Sequence, residues 1–147
     1  MRDITDIRLA DSIPNAVVRL FRQFNRLHNV ALKPTGLSTV QAHILSALFA
    51  EGPMTIGVLQ QLLSLGSSTL TGALDRMEKQ GLVARQPVPD DRRATQLVPA
   101  AWSKKRKSAL FATLAAAEDA CLAALSAKER RELLRLLTKL NAAHEQA

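Results

Sequence analysis

Basic side chains are concentrated in one stretch of the chain, residues 76 to 107. Nine Lys and Arg residues stand there against three acidic ones: Arg76, Lys79, Arg85, Arg92, Arg93, Lys104, Lys105, Arg106 and Lys107 against Glu78, Asp90 and Asp91. This excess of positive charge accounts for most of the net charge of +7 of the whole chain. Because clustered cations neutralise phosphates and release condensed counterions, the stretch predicts a polyanionic partner.

The aromatic content bears on which polyanion these cations would meet. Aromatic residues make up only 3% of the chain, and Tyr is absent. Proteins that bind single strands usually stack the bases on aromatic side chains. Double-stranded DNA is therefore the favoured partner, with a solvated charged face as the alternative for residues 104–107 taken alone.

Other residue types that carry chemistry lack the partners they would need. Cys121 is the single cysteine, so it can form no internal disulfide, and His28, His43 and His144 show no paired ligand spacing. Neither a Gly-rich phosphate loop nor a nucleophile motif occurs, so we expect no enzyme, no cofactor and no metal site. We expect Cys121 to be a small buried residue, with a redox trigger as the alternative.

The composition predicts a folded chain of ordinary size. Hydrophobic residues make up 47% and charged residues 22% of 147 residues, which suits one compact domain or one small domain with helical extensions. No run approaches the roughly 20 apolar residues of a membrane span. Residues 1–10 lack the apolar core of a signal peptide. We therefore expect a cytoplasmic protein with no membrane partner.

Apolar periodicity and turn residues predict the helices around the basic stretch. One amphipathic helix spans residues 12–32 and is broken by the Lys-Pro-Thr-Gly sequence of 33–36. Three helices follow, each with its own start signal: a capping box of Ser38 and Gln41, a Thr55 cap before residues 56–63, and a cap by Ser67, Ser68 or Thr69 before a helix that stops at Gly81.

Two short β-compatible runs, 82–85 and 95–98, come after the fourth helix. Residues 86–93 between them are too rich in proline for a helix, so they predict a hairpin with a long polar tip. Helices resume over 104–125 and from Ser126 onward. This order is that of a winged helix-turn-helix, whose second paired helix enters the major groove of DNA. The predicted fold class is mainly α with a small β-hairpin wing.

Two segments carry a resemblance to a known family. The MarR family (multiple antibiotic resistance regulators) is similar to Leu65-Gly-Ser-Ser-Thr-Leu-Thr-Gly-Ala-Leu-Asp-Arg-Met-Glu-Lys-Gln-Gly-Leu-Val83 and to the wing sequence Pro89-Asp-Asp-Arg-Arg-Ala94. The resemblance implies one chain with a winged helix-turn-helix at 37–99 and dimerisation helices at 12–36 and 100–147. It further implies an obligate homodimer on a pseudo-palindromic operator. Independently, the apolar stripes of residues 12–32 and 109–143 exceed what one small head can cover, which indicates an interface.

The fourth helix supplies the residues expected to read DNA, which are Ser67, Ser68, Thr69, Thr71, Gly72 and Arg76. Short hydroxyls there can meet base edges, the Thr71 methyl can meet a thymine methyl, and Arg76 is expected on a phosphate. Ser67 or Ser68 could instead serve only as the helix cap. Many members of the family carry a basic residue at the positions of Ser67 and Gly72. Because this chain has no basic residue at either position, we expect its specificity to depend more on DNA shape and on contacts from the wing.

The wing supplies the remaining expected contacts. Arg92 and Arg93 at its tip suit a narrow minor groove. By resemblance, Arg93 matches the characteristic wing arginine of the family, and Asp91 is the acid before it. Asp75 is expected to pair with Arg93 and to orient the wing against the reading helix. Phosphates are the expected partners of further basic residues: Lys79, Arg85, Lys104, Lys105, Arg106 and Lys107.

The resemblance also implies an effector, because members of the family often bind small aromatic or anionic compounds. It places that pocket near Phe24, His28, Lys33, His43 and Phe49, although Phe24 and Phe49 equally fit a buried stripe. The sequence thus predicts a sequence-specific transcriptional regulator, with repression as the expected mode and release by an effector as an extension. A non-specific architectural DNA-binding protein is the alternative, and a helical adaptor whose winged head binds protein is a third hypothesis.

Overall fold

The computed structural model of the protein describes residues 12–145. Seven helices and one hairpin lie within this range: α1 (Ile13–Leu32), α2 (Thr39–Glu51), α3 (Ile56–Leu63), α4 (Ser67–Lys79), β1 (Val83–Val88), β2 (Asp91–Pro99), α5 (Ala101–Lys105), α6 (Lys107–Cys121) and α7 (Ala127–Glu145). A 3₁₀ turn, Lys33–Thr35, follows α1. The predicted fold class, mainly α with a hairpin wing, is confirmed.

The chain divides into two compact units. Residues 28–115, here called the winged unit, contain α2 to α5 and the hairpin. The described residues before 28 and after 115, here called the helical unit, contain most of α1, the end of α6 and all of α7. None of the helices within residues 12–145 is long and apolar enough to cross a membrane.

Local sequence signals set the starts of the helices in the winged unit. The capping box at α2 forms as predicted: Gln41 N donates to Ser38 Oγ at 3.2 Å, and Ser38 N donates to Gln41 Oε1 at 3.0 Å. Thr55 caps α3 by accepting from Val58 N. Gly81, just beyond α4, has φ of +70°, a conformation that glycine adopts without strain. These features set where α2 and α3 begin and where α4 ends.

One apolar core holds the winged unit together. Its fully buried side chains come from the end of α1, from α2, α3 and α4, and from β2: Leu32, Ile44, Leu45, Leu59, Leu70, Leu74, Met77 and Leu97. The face of α4 predicted to point inward, with Leu70, Leu74 and Met77, does so. Because buried leucines cost about 2–5 kcal/mol to truncate, this face anchors α4 firmly.

The hairpin is longer than predicted. Its two strands pair antiparallel from Val83 with Pro99 to Val88 with Asp91, so most of the expected polar tip is paired strand. Only Pro89 and Asp90 form the turn, and Asp90 has φ of +66°. Pro87 is tolerated within β1 because an edge strand needs no N–H on its free side, and the register shifts there.

The helices after the hairpin also differ from the prediction of one helix over 104–125. Helix α5 ends at Lys105, Arg106 leaves the helical conformation, and α6 starts at Lys107. Ser103 on α5 is buried and donates to the carbonyl of Leu82 at 2.7 Å. This bond ties the start of the C-terminal helices to the segment just before β1.

The helical unit contains a second predicted capping box. Ser126 N donates to Glu129 Oε2 at 2.8 Å, and Glu129 N donates to Ser126 Oγ at 3.3 Å, which starts α7. Arg130 pairs with Asp119 across the turn between α6 and α7. Many large apolar side chains of this unit are exposed: Ile13, Val17, Val18, Phe21, Leu134, Leu136, Leu137 and Leu140.

Candidate nucleic-acid interface

The exposed face of α4 carries short polar side chains. Ser67, Ser68, Thr69 and Thr71 are exposed, and Gly72 is half-buried, whereas the opposite face of the helix lies in the core. Hydroxyl groups can donate to or accept from base edges and phosphates. The residues predicted to read DNA therefore lie together on one accessible helix face.

The start of α4 differs from the prediction of a serine or threonine cap. Gly66 is the N-cap residue, and no side chain caps the helix. Ser67 is already the first helical residue, and its Oγ accepts from Gln60 Nε2 of α3 at 3.0 Å. Because Gly66 takes the cap position, the hydroxyls of Ser67 and Ser68 do not cap the helix.

Arg76 lies one turn after Gly72 on the same face of α4. A β-carbon at position 72 would lie 3.5 Å from Arg76 Nη1, so the guanidinium extends back over the glycine. Within residues 12–145, no carboxylate lies within ion-pair distance of Arg76. The structure thus presents a free cation beside the hydroxyl groups of the reading face.

Arg85 on β1 joins the hairpin to α4. Its guanidinium donates to Asp75 Oδ1 at 3.2 Å and to Glu78 Oε2 at 3.1 Å, both on α4. The structure therefore pairs Asp75 with Arg85 and not with the expected Arg93. The reason is position: Arg85 lies at the base of the hairpin, next to the end of α4, whereas Arg93 lies near its tip.

The tip of the hairpin carries the free positive charge of the wing. Arg92 and Arg93 are exposed at the start of β2, and no ion pair to either one occurs in the described part of the chain. Asp91 accepts from the backbone N–H of Arg93 at 3.0 Å. Asp91 therefore shapes the tip, while both guanidinium groups stay available to an outside anion.

The basic residues that follow the hairpin differ in their contacts with aromatic side chains. Lys104 and Lys105 are exposed. The Arg106 guanidinium lies over the Trp102 ring at 3.9 Å from its centroid, and Lys107 Nζ lies 5.5 Å from the centroid of Phe49. The contact between Trp102 and Arg106 was not predicted from the sequence, although their spacing of four residues is that of neighbouring side chains on a helix.

The residues expected to line an effector pocket are divided between the two units. In the winged unit, the rings of His28 and His43 meet edge to face with centroids 5.4 Å apart, and Phe49 packs against Phe111. Lys33 lies in the 3₁₀ turn, and Phe24 belongs to the helical unit. Burial, and then the nearby charge of His28, lower the pKa of His43.

A cavity of about 360 Å³ lies elsewhere in the winged unit. Its walls come from the turn after α1, from α2 and from α5 and α6: Pro34, Thr35, Leu37, Leu45, Trp102, Ser103, Arg106, Ala109 and Leu110.

Cys121, expected to be buried, is only half-buried, and burial raises the pKa of its thiol. Among residues 12–145, no three His, Cys, Asp or Glu side chains are grouped to hold a metal ion.

Comparisons with known proteins agree with this architecture. Residues 37–95 match the model of the MarR family. The chain is 35% identical over 106 residues to the uncharacterized HTH-type transcriptional regulator YcgE of Bacillus subtilis, an alignment that covers 69% of each chain.

Solved structures show the same fold. A probable transcriptional regulator from Pseudomonas aeruginosa has a TM-score of 0.80 and 26% identity, over 90% of this chain and 99% of that one. A mutant MarR from E. coli in complex with operator DNA has a TM-score of 0.79 and 23% identity, over 92% and 99% of the two chains. The chain belongs to the MarR family of winged helix-turn-helix transcriptional regulators.

Proposed function

We propose that this regulator is a homodimeric repressor that binds a pseudo-palindromic operator, with α4 in the major groove and the hairpin tip in the adjacent minor groove. The observation that carries the proposal is the contrast in charge along the wing. Arg85 at its base is neutralised by Asp75 and Glu78, whereas Arg92 and Arg93 at its tip are exposed without an acidic partner in the described chain. Arginines in that setting suit the negative potential of a narrow minor groove.

The two ion pairs of Arg85 support this geometry by fixing the hairpin to the reading helix. Arg85 is about one-third exposed, and each of its pairs is a surface pair worth about 0–1 kcal/mol. Their contribution is therefore mainly to orientation. A hairpin held at its base delivers Arg92 and Arg93 at a defined distance from α4, which is what simultaneous contact with two grooves requires.

The exposed apolar side chains of the helical unit support the homodimer. Phe21 on α1 and Leu134 on α7 are more than half exposed, at 64% and 66%. Apolar patches of this kind usually mark protein interfaces, and a two-fold interface needs only one self-complementary surface. A two-fold dimer would present two α4 helices to half-sites about one helical turn of DNA apart.

Repression and its release extend the same proposal. A dimer that covers an operator blocks other proteins from the same DNA. The cavity of about 360 Å³ in the winged unit has the size of a small-molecule site, and it is lined mainly by apolar side chains with Thr35, Ser103 and Arg106 as polar groups. An effector bound there would lower operator affinity only if it preferred a conformation that does not fit the operator.

Non-specific architectural binding is the alternative, and the short hydroxyls of the reading face favour it. Selection of bound duplexes from a random pool, followed by gel shifts, separates the two. The proposed function predicts one enriched dyad-symmetric sequence, and the alternative predicts a small ratio between specific and non-specific affinity. The same gel shifts with candidate aromatic acids test release.

A double variant of the two wing arginines tests the proposed function most directly. We expect Arg92→Ala with Arg93→Ala to weaken binding to the selected operator by roughly tenfold or more, because two charged contacts are lost. Lys128→Ala with Arg131→Ala is the matched control, since it removes the same charge from exposed positions of α7. Equal affinities of the two double variants, or a wild-type protein without sequence preference, would contradict the proposal.

A further inference from the structure

We infer that Arg76 reads a guanine base in the major groove, and that Gly72 makes this possible. The inference rests on the proposed function, because it requires α4 to lie in the major groove. It departs from the expectation, drawn from the sequence, that Arg76 binds a phosphate.

The geometry of α4 places the Arg76 guanidinium over Gly72. Side chains on a helix lean toward its N-terminus, and residues four apart lie on the same face. The Arg76 side chain follows this direction until Nη1 lies 3.5 Å from where a β-carbon of residue 72 would be. A large side chain at position 72 would occupy that space, so the glycine lets the guanidinium reach the middle of the reading face.

The charges around α4 leave Arg76 free to bind DNA. Its helix carries two carboxylates near it, Asp75 and Glu78, and both accept hydrogen bonds from Arg85. Residues one and two positions apart on a helix do not face each other, and Arg76 has no acidic partner among residues 12–145. The neighbouring side chains Ser68 and Thr71 are short and exposed, so they do not hold the base edges away from the guanidinium.

The chemistry of the guanidinium selects the base. Its planar fork can donate two parallel hydrogen bonds to N7 and O6 of guanine, the pair of acceptors that distinguishes guanine in the major groove. Lys79 differs because it is the last residue of α4, and a point charge there suits a phosphate. Arg76 and Lys79 thus form a natural comparison of base contact and phosphate contact on one helix.

The test measures base preference and salt dependence together. Wild-type protein and the variants Arg76→Ala, Arg76→Lys and Lys79→Ala are compared on the selected operator and on its single base-pair substitutions. We expect Arg76→Ala to lose a preference of about 5- to 150-fold for guanine at one position in each half-site. Arg76→Lys should keep the salt dependence and lose most of this preference. Lys79→Ala should keep the preference and lower the slope of log affinity against log salt by about 1.8 for the dimer, which is about 0.9 for each subunit.

Two results separate the inference from the proposed function. A wild-type protein with no sequence preference would overturn both. A wild-type protein with a clear preference, together with an Arg76→Ala variant that keeps every base preference and only lowers the salt slope, would overturn the role of Arg76 alone.

Substitutions at Gly72 test whether the space left by the missing side chain is needed by the Arg76 guanidinium. We expect Gly72→Ala to keep the guanine preference, because its β-carbon would make ordinary van der Waals contact with Nη1. Gly72→Leu should remove the preference by displacing the guanidinium, and it should have no further effect on that preference when combined with Arg76→Ala. Both residues favour a helix over glycine, so a thermal midpoint at or above that of the wild type excludes unfolding as the cause. A Gly72→Leu variant with an unchanged guanine preference would contradict the proposed role of the glycine.

Discussion

Most leucines of the winged unit are buried, with Leu62 on α3 as an exposed exception, whereas none of the leucines on α7 of the helical unit is buried. Leu74 on α4 is 0% exposed within a core that α2, α3 and the hairpin close around it. On α7 of the helical unit, Leu134, Leu137 and Leu140 face solvent. The difference teaches that the winged unit is stabilised by its own contacts, while the helical unit keeps apolar surface that only another surface can cover.

Both units contain an ion pair that joins two elements. In the winged unit, Arg85 of β1 pairs with Asp75 and Glu78 of α4. In the helical unit, Arg130 of α7 pairs with Asp119 of α6, and Arg135 pairs with Glu132 one turn away on the same helix. A pair within one helix adds a few tenths of a kcal/mol to that helix, whereas a pair between elements restricts their relative orientation. Orientation is the property that a reading helix and its wing need.

The largest expected effect comes from placing a charge on the exposed apolar face of α7. Leu134→Glu should convert the proposed dimer to a monomer, because burying a carboxylate in an apolar interface costs free energy. Operator affinity should fall by more than about 100-fold, since the two half-sites are then no longer bound together. Light scattering measures the mass and gel shifts measure the affinity.

Val58→Glu is the control for this substitution. Val58 lies on α3 of the winged unit and is 51% exposed, so the change adds the same charge to an exposed apolar position outside the helical unit. This variant should remain a dimer. A Leu134→Glu protein with the mass of a dimer, or a wild-type protein with the mass of a monomer, would show that this face is not the interface.

A smaller effect should follow from releasing the base of the wing. Asp75→Asn with Glu78→Gln removes both acceptors of Arg85 and makes the protein more positive. If Arg85 orients the wing, operator affinity should fall severalfold despite the added positive charge, and the free energy of unfolding should fall by about 1 kcal/mol. If Arg85 binds a phosphate, freeing it should raise operator affinity instead.

Asp119→Asn with Glu132→Gln is the matched control, because it removes the same charge from the helical unit. Gel shifts at two salt concentrations distinguish a change in orientation from a change in general attraction to DNA. An operator affinity that rises equally in both double variants would rule out the orienting role of Arg85.

Local signals account for the parts of the fold that the sequence predicted. The starts of α2, α3 and α7 depend on side chains within three residues of each cap, such as Ser38 and Gln41, and all three are confirmed. The buried face of α4 follows from the helical period of Leu70, Leu74 and Met77. Both kinds of signal are complete within one turn or one helix, so the sequence alone can reveal them.

Most of the features that the sequence did not predict depend on contacts between different helices and strands. The strands extend through 86–88 and 91–94 because each supplies hydrogen bonds to the other, which outweighs the low strand propensity of Pro87. Asp75 pairs with Arg85 because the hairpin base, and not its tip, lies beside α4. Ser67 does not cap α4 because Gly66 takes the cap position and Gln60 of another helix binds the hydroxyl.

The smallest expected effect is on the pH dependence of the free energy of unfolding. We expect it to arise from a histidine of the winged unit and not from one of the helical unit. The pKa of His43 on α2 is lowered, first by burial and then by the charge of His28. The folded protein therefore favours neutral His43, while the unfolded chain takes up a proton near the ordinary value of about 6.5. The resulting stabilisation is fully present above pH 6.5, and it is lost as the pH falls from 6.5 through the lowered pKa of the folded state.

Urea unfolding at pH 7.5 and pH 5.5 measures this loss. We expect the free energy of unfolding to fall between these two values in the wild type, and His43→Gln to reduce the difference. His28→Gln should reduce it less, because the burial of His43 persists. His144→Gln, at the exposed end of α7, is the control from the helical unit and should leave the difference as in the wild type. If His144→Gln flattened the pH dependence and His43→Gln did not, the titrating group would lie in the helical unit, and the winged unit's closed core would not be the source of the effect.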